Sequence, residues 1–354
     1  MNTNMPATDL QSMAPSRVPA RNYERLFSAG KYGTYILIVL PVLLAVWPYS
    51  FRAHSIFLCQ APRPGSDEYI AYCQSTTYGD YDYGAFWFGM EPEATNAAAN
   101  AQVLFLGNSR TQFGLSTKAT ADWFSSLPAT YYLLGFAFNV TYKFEGAILR
   151  KLRPKAKVYV INIDLFFEQA EPPPASVVIQ DSGARSRYES KRWWQVIHEA
   201  VCGSHPTICG NRHAFVRSRA TGAWRLSGGP IRSVPVVYDE HVDQNMVKVY
   251  VGLANQFLSN LPVHRDCVIL TVLPTGDTSS WDEVGATSIG TAKAIAADLG
   301  LNLIAPKLTG LTTFDESHLD PQSAERWSAA FTEAAGPQIR QCLDDSAHRS
   351  NSAR

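Results

Sequence analysis

Apolar residues along this chain fall into short runs, most of them stopped by glycine or proline, and into longer stretches with helical spacing. Gln102–Leu106 (QVLFL) stops at Gly107, and Tyr131–Leu134 (YYLL) stops at Gly135. Lys157–Ile163 (KVYVINI), Cys267–Leu273 (CVILTVL) and Leu301–Ala305 (LNLIA) are of the same kind. Runs this short and this evenly apolar read as strands covered on both faces, since a strand with one wet face would alternate. Between them, apolar positions recur at helical intervals in Val140–Leu152 ahead of Pro154, in Glu240–Leu261, in Trp281–Leu299 with Gly300 as C-cap, and in Pro321–Ala335. Strands separated by helices need crossover connections and so run parallel. The pattern predicts a doubly wound α/β fold over residues 101–335, a mostly parallel sheet flanked by helices in three layers.

Other stretches break this rhythm. Residues 168–239 hold Pro172–Pro174, a basic and aromatic tract (RSRYESKRWW, 185–194) and two cysteines, and read as an insertion over the sheet, a cap or a partner surface. Residues 52–100 read as an extracytoplasmic linker and loop-rich preface. Their aromatic segment 78–90 (YGDYDYGAFWFGM) is assigned to packing rather than to stacking on a sugar, as are Trp193 and Trp194. Residues 1–31 and 336–354 are polar and are expected to be flexible tails.

The run from Tyr32 to Phe51 has no charged residue and is bracketed by Lys31 and Arg52. At helical rise it spans roughly 30 Å, the thickness of a bilayer core. Trp47, Tyr49 and Phe51 sit where an interfacial aromatic belt would lie. A cleaved signal peptide would be shorter and end in small residues, and a buried core helix would show a polar face. Arg17, Arg21, Arg25 and Lys31 precede the run, so a single-pass anchor at 32–51 would leave residues 1–31 in the cytoplasm and the remainder outside, on the periplasmic or extracytoplasmic side.

Composition narrows the function classes. Lys plus Arg and Asp plus Glu number 31 each, a neutral balance that argues against a nucleic-acid binder. Apolar residues are 46% and charged residues 18%, enough to build a core. All six cysteines follow the apolar run, as disulfides in an oxidising compartment would. Cys59 with Cys73 and Cys202 with Cys209 would close local loops and leave Cys267 with Cys342, but six cysteines permit about fifteen pairings. With no Cys-x-x-Cys, and with His198, His205, His213 and His241 scattered and read as surface residues, no metal or cofactor is expected.

In a parallel α/β sheet the chemistry lies beyond the carboxyl ends of the strands. The first strand is followed by Gly107-Asn108-Ser109-Arg110-Thr111. A serine there can present its hydroxyl to the crevice, or cap a helix. A hydroxyl becomes a nucleophile only when a base takes its proton. After the fifth strand comes Phe314-Asp315-Glu316-Ser317-His318. An Asp and a His three apart can share one turn, the carboxylate fixing the imidazole that faces the serine.

These two blocks, at opposite ends of the α/β pattern, resemble the SGNH (GDSL-like) hydrolase and acyltransferase family. The resemblance implies a flavodoxin-like three-layer fold with Ser109 as nucleophile, His318 as general base and Asp315 as its orienter. It also implies an oxyanion hole from the backbone N–H of Ser109 and of Gly135, the glycine after the second strand. The family's asparagine after the third strand has no plain counterpart. Asn162 or Asp164 stands near its slot, an ionised Asp would repel an oxyanion, and Asn139 is an alternative amide. Arg110 is a candidate substrate contact, steadying a carboxylate or acyl carbonyl, with structural pairing as the commoner role of such an arginine. The tethered arrangement resembles membrane-anchored proteins of polysaccharide O-acetylation, such as those for alginate, and of teichoic-acid D-alanylation. That implies acyl transfer to a glycan, or ester hydrolysis on one, with a multipass membrane acyltransferase as partner. The alternative is a catalytically silent scaffold or glycan-binding subunit of a polymer-export complex.

Overall fold

The computed structural model describes residues 33, 35–45, 57–74, 79–227, 233–277 and 286–352. The chain divides into two units, Met1–Ser50 and Phe51–Arg354. In the first, residues 35–45 are helical and carry exposed apolar side chains, among them Ile36, Leu37, Leu40 and Leu44. Among the described residues no helix is long and apolar enough to cross a membrane. Positions 32, 34 and 46–51 of the anchor expected from the sequence, and the whole 1–31 tail, lie outside the described residues.

The second unit begins with β1 (Glu68–Cys73), α1 (Tyr81–Phe88) and α2 (Pro92–Asn100). Then come β2 (Val103–Leu106), α3 (Ser109–Leu115), α4 (Lys118–Ser125), β3 (Tyr131–Leu133), α5 (Tyr142–Leu152) and β4 (Val158–Asn162). The insertion supplies α6 (Pro173–Gln180), α7 (Ala184–Ser204), β5 (Ala214–Ser218), β6 (Trp224–Ser227) and β7 (Val234–Pro235). The chain closes with α8 (Gln244–Leu258), β8 (Val268–Thr271), α9 (Ile289–Leu299), β9 (Asn302–Leu303), β10 (Thr312–Thr313) and α10 (Pro321–Ser352).

The five apolar runs become one parallel sheet in the order β3-β2-β4-β8-β9. The fold is α/β, with helices flanking this sheet. Side chains alternate across it, as the period of a strand requires. Val103 and Phe105 of β2 pack with Phe124 of α4 and with Trp327 and Phe331 of α10. Leu104 and Leu106 pack with Phe144 and Ile148 of α5, Tyr250 and Phe257 of α8, and Ile295 of α9. Helix ends follow local chemistry. Ser288 caps α9, accepting from Thr291 N at 3.1 Å, and Gly300 ends it at φ 63°.

Two domain expectations need correction. The described residues 57–74 and 79–100 are not a linker: β1 pairs antiparallel with β5 of the insertion, making a second sheet in the order β1-β5-β6. In α1, Tyr81, Tyr83 and Phe86 are buried in the main core. Nor are the described residues 336–352 a loose tail. Helix α10 continues to Ser352, Ile339 is fully buried, and Cys342 is bonded to Cys267. Apolar residues on the inner face and the disulfide hold this stretch despite Pro337. The other disulfides are Cys59–Cys73 and Cys202–Cys209. Of the paired tryptophans, Trp194 packs beside Phe57 and Cys202, whereas Trp193 stands 58% exposed because its turn of α7 faces solvent.

The small sheet covers the free edge of the large one, as an edge strand requires. Leu133 N of β3 donates to Thr221 O at 2.9 Å. The wholly buried guanidinium of Arg217 bonds both Asp82 of α1 and the Leu133 carbonyl.

Candidate active site

The turn between β2 and α3 is built around Gly107, whose φ of 140° lies in the region that favours glycine. A Cβ there would meet Thr111 Oγ1 at 2.4 Å and Asn162 Cβ at 2.9 Å. Asn108 is the N-cap of α3, its Oδ1 accepting from Arg110 N at 3.0 Å. The capping task therefore falls to Asn108 and not to Ser109, and the Ser109 hydroxyl takes another partner.

That partner is His318, whose Nε2 lies 2.7 Å from Ser109 Oγ. On the other side of the ring, His318 Nδ1 lies 2.7 Å from Asp315 Oδ2. A carboxylate there accepts from Nδ1–H, which leaves the Nε2 lone pair for the serine hydroxyl. Asp315 Oδ1 accepts from the N–H of Ser317 at 3.1 Å and of His318 at 2.8 Å. Burial pushes the Asp315 pKa up, but the bond and charge of His318 and the two backbone N–H groups outweigh it and hold the carboxyl below its ordinary value.

The loop that carries this pair is clamped. Phe314 N donates to His318 O at 2.9 Å, and Gly276 N donates to Glu316 O at 2.7 Å. Just ahead of it, β10 pairs with β7. The imidazole lies edge-on to Phe113 at 4.8 Å between centroids and stacks on Phe314 at 5.5 Å. Phe113 in turn touches Phe215 and Trp224 of the small sheet, so the insertion walls one flank of the site. The pair remains open to solvent, the His318 side chain being 14% and the Asp315 side chain 42% exposed. A cavity of about 420 Å³ lies nearby, lined by Thr275, Gly276, Asp277 and Thr287 among others.

The structure thus brings Ser109, His318 and Asp315 together across more than two hundred residues of chain. The surrounding candidates fare unevenly. Gly135 is pressed against the nucleophile turn, where a Cβ would sit 2.8 Å from the carbonyl oxygens of both Gly107 and Asn108. Its own carbonyl accepts from Gln112 Nε2 at 2.6 Å. Asn139 is exposed, whereas Gly135 and Asn162 are buried. Asn162 is fully buried beneath the turn, its Oδ1 accepting from Asp164 N at 3.2 Å and its Nδ2 lying 3.4 Å from Asn108 Oδ1.

Asp164 and Arg110 require correction. The Asp164 carboxylate forms a buried ion pair with Arg110 and accepts from Asn108 Nδ2 at 3.1 Å and from Thr287 N at 2.7 Å. Both of its oxygens are therefore occupied beneath the site, and as acceptors they cannot serve an oxyanion. Arg110 is 5% exposed and turned inward, and its Nε also donates to Ser317 Oγ at 3.1 Å. It is a strut between β4 and the Asp315–His318 loop, not a group presented to substrate.

Sequence reasoning passed over Phe113, Ser317, Thr287 and Glu145. The first two lie beside singled-out residues, and that proximity was the available signal. Glu145 is legible only in three dimensions. It is fully buried behind the turn and accepts from Gly107 N at 3.0 Å. Burial raises its pKa well above the ordinary value, with the Gly107 N–H offsetting part of the rise. His198, expected at the surface, is instead fully buried against the Cys59 carbonyl. With Cys202 and Cys209 it clusters closely enough to hold a metal ion, but the two sulfurs are joined as a disulfide, and metal binding requires thiolates. Comparison with protein-family models, with curated proteins and with solved structures returns no match, so the site is read from its own geometry.

Proposed function

We propose that the chain is a serine-dependent acyl-transfer enzyme, an O-acyltransferase or esterase acting on a glycan. One observation carries this reading: the Ser109 hydroxyl, the His318 imidazole and the Asp315 carboxylate form a continuous hydrogen-bonded line, with 2.7 Å at each imidazole nitrogen. In the proposed reaction His318 Nε2 takes the Ser109 proton as Oγ attacks an ester carbonyl, and Asp315 stabilises the imidazolium so formed. The backbone N–H groups of Ser109 and Gly135 are the proposed oxyanion donors. Collapse of the tetrahedral intermediate expels the alcohol, which takes the proton from His318, and leaves acyl-Ser109. His318 then takes a proton from the acceptor, a sugar hydroxyl in transfer or water in hydrolysis, as it attacks the acyl carbonyl, and returns that proton to Ser109 Oγ as the acyl–serine bond breaks.

The strand order and the apolar layers on both sheet faces support the doubly wound, three-layer reading. Three disulfides support an oxidising compartment outside the cytoplasm. The uncharged run 32–51, with its exposed apolar helix at 35–45, supports a membrane tether. In that setting the acyl donor comes from a multipass membrane partner and the acceptor is an extracytoplasmic polysaccharide, with acetyl as the proposed group. Labelling with a serine-directed fluorophosphonate tests the chemistry. Wild type should be modified at Ser109 and Ser109→Ala should not; equal labelling of the two would leave the scaffold reading in its place.

A further inference from the structure

A second cavity lies on the sheet face covered by α5 and α8, at the end remote from Ser109. It measures about 650 Å³. That is ample for a small ligand. Its wall includes Tyr159, the second residue of β4, whereas Ser109 follows the last residue of β2. Because β2 and β4 run parallel, the two sites sit toward opposite ends of the same sheet.

Its lining is chemically lopsided. Leu149, Tyr159, Phe257 and Leu261 make an apolar interior, and Lys143, Arg150 and Arg153 supply three cations with no carboxylate among the lining residues. Lys143 is partly engaged, donating to Gln169 O at 2.6 Å. Arg150 and Arg153 enter none of the ion pairs among the described residues. Arg150 lies in the last turn of α5, where a cation complements the helix dipole. That accounts for one charge at a helix end, but not for a cavity beneath it. Tyr159 is fully buried, and its hydroxyl has no hydrogen-bond partner among the described residues. Burial pushes its pKa up to about 12, so the phenol keeps its proton and can donate. That hydroxyl has essentially no accessible surface, so it lies behind the cavity wall, and what faces a ligand is the apolar lining with its three cations.

We propose that this cavity binds a small amphiphile with an apolar body and a single anionic head, a medium-chain carboxylate or alkyl phosphate. The head faces Arg150 and Arg153, and the body lies against Leu149 and Phe257. The proposal is independent of the chemistry assigned to Ser109.

Calorimetric titration of the full chain in lipid nanodiscs with octanoate, octyl phosphate and neutral octanol tests it. Both anions should bind saturably and at least about tenfold more tightly than octanol, and comparison of the two tells which head is preferred. The double variant Arg150→Glu/Arg153→Glu should lose that preference and leave octanol unchanged. Gly146→Leu should fill the cavity and abolish saturable binding of all three. A Cβ at Gly146 meets nothing closer than Phe257 Cε2 at 3.4 Å, so the variant should keep its near-ultraviolet dichroism and melting temperature. Anions that bind no better than octanol, or folded variants that bind as wild type does, would overturn the proposal.

Discussion

Replacing Asp315 by asparagine isolates what the carboxylate contributes. The amide oxygen can still accept from the Ser317 and His318 N–H groups that now bond Oδ1, so the loop should keep its shape. The amide nitrogen would then face His318 Nδ1, donor against donor, and the imidazole must change tautomer or turn away. The charge effect can be bounded. Two unit charges about 4 Å apart are worth about 1 kcal/mol in bulk water and about 4 kcal/mol near a protein surface. At about 1.36 kcal/mol per decade these limits correspond to about fivefold and about a thousandfold in rate. The Asp315 side chain is 42% exposed, so solvent screens it and the lower half of that range applies. The expectation is a loss of about 5- to 70-fold in the second-order rate of fluorophosphonate labelling at Ser109, followed by mass spectrometry. A rate equal to wild type would mean that the carboxylate is not coupled to the base. Loss as complete as in Ser109→Ala, in a protein that melts normally, would mean that the loop and not the charge had been perturbed.

Arg110→Met removes the partner of a buried carboxylate and should destabilise the fold by about 3–5 kcal/mol in urea titrations; an unchanged midpoint would refute the strut. Gly135→Ala places a methyl 2.8 Å from two backbone oxygens of the nucleophile turn and should slow labelling at Ser109 while α/β dichroism persists. His198 is held to about 4 against an ordinary 6.5 because burial penalises its charged form, which outweighs its bond to the Cys59 carbonyl. The unfolded chain therefore binds this proton first. Its contribution to stability is complete above pH 6.5 and is lost as pH falls toward about 4, a difference of roughly 3 kcal/mol at 1.36 kcal/mol per pH unit. Acid melts of His198→Gln should lack that limb, and identical acid dependence would exclude His198 as its source.

What the sequence disclosed was the local part. The central strands β2, β4 and β8 are runs buried on both faces, and such runs stand out without knowledge of their neighbours. The Asp315–His318 contact spans three residues within one turn and was legible for the same reason. The pairing of Arg110 with Asp164 was not, because a structural role for the arginine could be read locally but its partner lies 54 residues away. The small sheet escaped notice because its first strand finds its partner inside the insertion, and no local pattern records such a pairing. Helix α10 was cut short at a polar, proline-bearing stretch whose packing partners, Cys267 among them, lie far back in the chain.

The pairing of Glu68 with Ser218 sets an order of events during synthesis. These residues are 218 − 68 = 150 positions apart, so β1 is made long before the strand that completes it. At roughly 5–20 residues per second the wait is about 8 to 30 s. Through that interval Tyr69 and Ile70, both fully buried at the end, are without their final cover. The first described strand of this unit thus waits longer for its partner than any other described strand, and a fragment trimmed to begin at residue 101 would leave β5 with a bare, apolar edge open to association with its own copies.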